Sequence, residues 1–119
     1  MRETSMSMDA IVWNYHESLP EKVAEFERLW TAWQSDPPSR EACDAFRVLI
    51  HRMSGATAAF GYEELARRAV ELERLLRPGV CLEDHLPGAV YRHIEQAAVQ
   101  LLDALRRGAR EEHPPQTPT

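Results

Sequence analysis

An all-α fold, an antiparallel up-and-down bundle of four helices, is the architecture this chain predicts. Three observations carry it. Apolar residues recur in alternating steps of three and four along most of the 119 residues. No useful stretch alternates with period two, as a half-buried strand would. Stretches rich in proline or glycine at "SDPPS", "FGY" and "PGVCLED" cut the periodic sequence into pieces of helix length. Short connections between successive helices then favour antiparallel neighbours. The length is that of one domain, and the apolar fraction of 44% with 28% charged residues is ordinary for a globular protein.

The first helix is predicted from Met8, with Val12, Leu19, Phe26 and Trp33 on one stripe and Tyr15, Val23 and Trp30 interleaved. The stripe runs straight through Pro20, which predicts a single kinked helix. Core packing is expected of Trp30, with Trp13 and Trp33 covering the end of the bundle. Pro37 and Pro38 end this segment, and Ser39 is a good N-cap for a second helix from about Arg40 to Phe60. Gly61 reads as its left-handed stop. A third helix, "YEELARRAVELERLLR", places Leu65, Ala69, Leu72 and Leu76 inward and ends before Pro78-Gly79. The fourth spans about His85 to Arg107, with Val90, Ile94, Ala97, Ala98, Leu101, Leu102 and Leu105 inward; Pro87 falls in its first turn, where a missing N–H does little harm. The tail "GAREEHPPQTPT" has three prolines and no apolar anchor. The expected domain is therefore 8–107, with flexible termini at 1–7 and 108–119.

Several function classes drop out on composition. No window approaches 18 uninterrupted apolar residues, so no membrane partner is expected. "MRETSMSMDA" lacks an apolar h-region, which makes the cytoplasm the expected compartment. A net charge of −5 argues against nucleic acid, whose phosphates need a clustered basic face. Cys43 and Cys81 are expected to be inert small hydrophobes rather than redox partners. Cys81, His85 and His93 are scattered donors without a fourth, so no metal site is expected.

One feature resists a purely structural reading. On the second helix Phe46, Leu49, Ile50, Met53, Thr57 and Phe60 fall within a sector of about 100°, the core face. His51 lies about 150° from its middle and so faces outward. Arg47 stands one turn before it, and Ser54, Gly55 and Ala58 follow beside it. A solvated helix face usually carries long polar residues that favour helix. Small ones let another protein's backbone approach and leave the imidazole prominent. A convex surface offers no pocket for general-base work on a small substrate. Nucleophilic attack on a reactive group presented by another protein needs only exposure, a neutral ring and a nearby cation.

"HRMSGATAAFG" then resembles the signature of histidine-containing phosphotransfer domains: a helical His, Gly four residues on, a small run, and Phe-Gly at nine and ten. "YEELARRAVELERLL" is similar to the family's following segment, and "ESLPEKVAEFERLW" with the proline break to what precedes. The resemblance covers about residues 8–107. It implies that His51 accepts a phosphoryl group from the aspartyl phosphate of a response-regulator receiver domain, or returns one. It implies a monomeric covalent carrier without turnover of its own, serving a receiver and a hybrid sensor histidine kinase. It implies no cofactor on this chain, Mg²⁺ being the receiver's. Many members carry Lys where Ser54 stands. Arg47 could supply charge from the preceding turn, and Arg77 sits where some members place a basic residue. The departure at Ser54 leaves open a module that docks on a receiver or kinase without carrying phosphate. A plain helical scaffold is the third reading, and the spacing of His51, Gly55 and Gly61 argues against it.

Overall fold

The computed structural model describes residues 7–35, 38–83 and 86–115. These residues form helices and turns, with no strand among them, so the fold is all-α. Five α-helices follow in order: α1 Met8–Glu17, α2 Leu19–Trp33, α3 Arg40–Ala59, α4 Glu63–Leu75 and α5 Gly88–Arg110. A 3-10 turn at Val80–Leu82 lies between α4 and α5. Helix α2 packs on α3 and α5, and α4 packs on the same two, while α1 packs on α2.

The segment expected to be one kinked helix is two, meeting at Ser18. Pro20 has no N–H for the His16 carbonyl, and its ring crowds that carbonyl. The Ser18 backbone N–H closes α1 on Asn14 and Tyr15, and its hydroxyl donates to the Tyr15 carbonyl at 2.6 Å. Ser7 caps α1 by accepting from the Ala10 N–H at 3.1 Å, and Ser39 caps α3 by accepting from Ala42 at 3.0 Å. Gly61, at φ +85°, stops α3 as its sequence position suggests.

The core lies where the stripes meet. Leu19 and Phe26 from α2, Phe46, Ile50 and Met53 from α3, Leu72 from α4, and Ile94, Leu101 and Leu105 from α5 are fully buried. Trp33 is buried too, and Trp30 is only partly so, the reverse of their expected roles. Both rings pack on Phe46. Trp13, in the middle of α1, is exposed.

Two expectations are corrected outright. Cys43 and Cys81 are not independent hydrophobes: they form a disulfide between α3 and the 3-10 turn, with Cα atoms 5.6 Å apart. Residues 108–113 are not a free tail either. Helix α5 runs on to Arg110, and Gly108 abuts Leu65 and Leu19. The buried His16 holds the Glu111 carbonyl at 2.7 Å, and the Trp13 ring meets His113 edge-on. A carbonyl only accepts, so Nε2 of His16 carries the hydrogen. In the neutral ring Nδ1 then accepts from the Tyr62 hydroxyl at 2.7 Å. The anchor for the tail is polar and aromatic, which is why an apolar pattern did not show it. Residues 1–6 and 116–119, with the first proline of "SDPPS" and His85 of the imagined metal trio, lie outside the described residues. Cys81 is committed to sulfur. Among the described residues no group of three or more His, Cys, Asp or Glu side chains could hold a metal ion.

Candidate functional site

Helix α3 presents His51 on its outer face, the side chain 75% exposed. The same turn geometry buries Ile50 and Met53 beneath it. His51 is not an unsupported surface residue, however. Its Nδ1 lies 2.5 Å from Oε2 of Glu73, a residue of the neighbouring helix α4. The Ser54 hydroxyl sits 2.9 Å from the other carboxylate oxygen and 2.8 Å from the His51 carbonyl, and its single proton serves one of them at a time.

These contacts fix the chemistry of the ring. The bond from His51, with help from Ser54, holds the Glu73 carboxyl below its ordinary value of 4.5, against the opposing effect of partial burial. Glu73 is therefore an ionised acceptor at neutral pH, and Nδ1 of His51 is the donor. In the neutral ring the other nitrogen, Nε2, keeps its lone pair and faces away from Glu73. An exposed imidazole thus has one nitrogen anchored and one free to react.

The remaining residues of interest divide between this centre and its surroundings. A shallow cleft of about 230 Å³ beside the imidazole is lined by Arg47, Val48, His51, Glu73 and Leu76. Arg47 is half-buried, and its Nε donates to the Leu76 carbonyl at 3.0 Å, which ties α3 to the end of α4. Gly55 and Ala58 are exposed along the face that His51 shares. A Cβ added at Gly55 meets nothing within 4 Å, so packing inside this chain does not require glycine there. Ser54 departs from expectation: at 9% exposure it is buried in the seam between α3 and α4, and it does not belong to the open face. Arg77 is not brought to the cleft either. It is exposed beyond the end of α4, where it pairs with Glu83 at 3.3 Å.

Sequence reasoning missed Glu73 and Val48. Val48 left a signal, an apolar β-branched residue one turn before His51 on the solvent side, where it is 47% exposed. Glu73 left a weaker one. It borders the Leu65–Leu76 stripe, so it had to lie at an edge of α4, but the stripe does not say which helix that edge meets.

A family model for the Hpt domain matches residues 10–108. The chain belongs to the Hpt domain family. No curated protein and no solved structure matches it significantly. The match spans α1 to the last turn of α5, so every element that builds the His51 centre is inside it. Hpt domains serve histidine phosphotransfer in two-component signalling, interacting with receiver domains and kinases, and are generally carriers rather than enzymes. No helix among the described residues of this Hpt domain is long and apolar enough to cross a membrane.

The bond between Glu73 and His51 carries a pH prediction. Because the folded carboxyl lies below its unfolded value, its contribution to stability is complete above the ordinary carboxylate range. It is lost as pH falls through the lowered value. Acid unfolding curves of the wild type and Glu73→Gln should therefore converge as pH drops below about 4, the ordinary carboxylate range. At pH 7 the wild type should be the more stable. Parallel curves over the whole range would show that the bond does not persist in solution.

Proposed function

We propose that His51 is the phosphoacceptor of this Hpt domain, and that it takes a phosphoryl group from the aspartyl phosphate of a receiver domain or passes one to it. The observation that carries this reading is the exposed imidazole anchored through Nδ1 to Glu73. The Nε2 lone pair attacks phosphorus. An N–P bond forms, the acyl-phosphate P–O bond breaks, and the carboxylate leaves with the receiver. The ring gains positive charge as the bond forms, and the Glu73 carboxylate on its far side offsets that charge. Reversal runs through the same atoms. Mg²⁺ belongs to the receiver side of the encounter, and this chain supplies the nucleophile and a surface. It is a covalent carrier without turnover, acting as a monomer in the cytoplasm and serving a receiver and a hybrid kinase. Helices α2–α5 are the antiparallel four-helix bundle that carries it.

Arg47 is the cation that lines the cleft with His51 and Glu73, and we assign it the phosphoryl oxygens in place of the family's lysine. Ser54, standing where that lysine would be, steadies Glu73 instead. A role for Ser54 inside the centre weakens the reading of a docking module that carries no phosphate. Incubation with a phosphorylated receiver separates the two. The carrier gains label that is labile to acid and stable to base. A docking module binds the receiver and gains none.

Gly55 and Ala58 leave the approach to His51 open. Gly55→Gln should stabilise α3 by about 0.5–1 kcal/mol through helix propensity, since the position is exposed and unobstructed. The same side chain should weaken receiver binding and slow transfer. A titration against the receiver, with thermal unfolding alongside, checks both effects; unchanged affinity and rate would remove the small residues from the docking surface.

A further inference from the structure

The disulfide lies close to the phosphoacceptor along both of the helices that build the centre. On α3, Cys43, Arg47 and His51 are spaced four residues apart, which puts them on successive turns of one slowly rotating face, about 12 Å from end to end. Across the seam, Glu73 lies in the last turns of α4, Leu76 caps that helix, and Cys81 follows in the 3-10 turn. Three cross-links therefore join the two strips in register: Cys43 to Cys81 by sulfur, Arg47 to the Leu76 carbonyl, and His51 to Glu73. The first is covalent and holds the chain that leaves α4. The second and third depend on where that end of α4 lies.

From this register we infer that Cys43 and Cys81 form a reversible thiol–disulfide site, and that its oxidation state sets how firmly Glu73 holds His51 for phosphoryl acceptance. The inference rests on the carrier reading above. Disulfides of cytosolic proteins are usually transient, and catalytic or sensing in role rather than permanent staples. The chemistry balances with a low-molecular-weight disulfide as oxidant. One cysteine thiolate attacks it, giving a mixed disulfide and one released thiolate. The second cysteine then displaces the other, so that the protein dithiol is oxidised and the small disulfide is reduced to two thiols. Both cysteines are buried, so exchange requires the 3-10 turn to lift from α3. That turn is three residues long, and such an opening is local rather than global. With the bond closed, α4 ends against α3 and the carboxylate is preorganised. With it open, Leu76 and Glu73 move more freely against Arg47 and His51.

The test uses the whole chain in two forms, treated with oxidised glutathione or with dithiothreitol, each verified by alkylation and mass. Two readings follow on each form: the rate of label uptake from a phosphorylated receiver, and the imidazole NMR resonances of His51. The oxidised form should take up label about two- to fivefold faster, the effect of firming up one exposed hydrogen-bonded ion pair. Its His51 resonances should differ from those of the reduced form. Cys43→Ala/Cys81→Ala should match the reduced form under both treatments; if that variant does not fold, the comparison within the wild type still decides. Equal rates in the two forms would overturn the inference, as would coincident His51 resonances or a disulfide that resists millimolar thiol in the folded protein. Label uptake by neither form would overturn the carrier reading itself. Uptake at equal rates overturns the redox site alone.

Discussion

His51→Gln should accept no phosphoryl group from a phosphorylated receiver, a complete loss rather than a slowing. Glutamine has no nucleophilic nitrogen of comparable basicity, so no N–P bond can form. The fold should be kept, because the side chain is 75% exposed and glutamine is a good helix former. Its amide can still donate to Glu73, so the seam between α3 and α4 should close as before. The readout is labelled-phosphate uptake, with circular dichroism to verify the helices. Label on the variant at the wild-type rate would place the acceptor elsewhere.

Reducing Cys43–Cys81 should lower the unfolding free energy by about 2–4 kcal/mol. The bond spans 38 residues of chain, and in the chain-entropy model closing a loop of that length is worth about 4 kcal/mol. Native-state relaxation and residual order in the unfolded chain reduce it. For a domain of this size such a loss is a large fraction of total stability. Urea unfolding with and without reductant measures it directly: the midpoint should fall, and the slope should rise because the reduced unfolded chain is less compact. Coincident midpoints would mean that the disulfide does not constrain the unfolded chain.

Much of this was legible in local pattern. The inward set on α3, Phe46 to Thr57, placed His51 outward because periodicity alone fixes the face opposite the core. Ser54 was misplaced for the same reason in reverse. It lies about 90° from the middle of that face, where burial depends on whether a neighbouring helix covers the edge. Helix α4 does cover it. Glu73 and the Cys43–Cys81 bond share this limit: each depends on the register of α4 and its exit turn against α3, and no period within one helix encodes that. The break at Ser18 was signalled by Pro20, but a continuous stripe fits a kink and a break equally well. The docking of Glu111 on His16 pairs residues far apart in sequence through an imidazole and a backbone carbonyl, groups without a hydropathy signature.

The central claim is that the ring bound to Glu73 through Nδ1 reacts through Nε2. Phosphorus–nitrogen correlation NMR on the ¹⁵N-labelled protein, phosphorylated by a receiver, tests it at the atom concerned. The account predicts one phosphohistidine, at His51, with phosphorus coupled to Nε2 and the hydrogen still on Nδ1. Phosphorus coupled to Nδ1 of His51, or carried by another histidine, would contradict it.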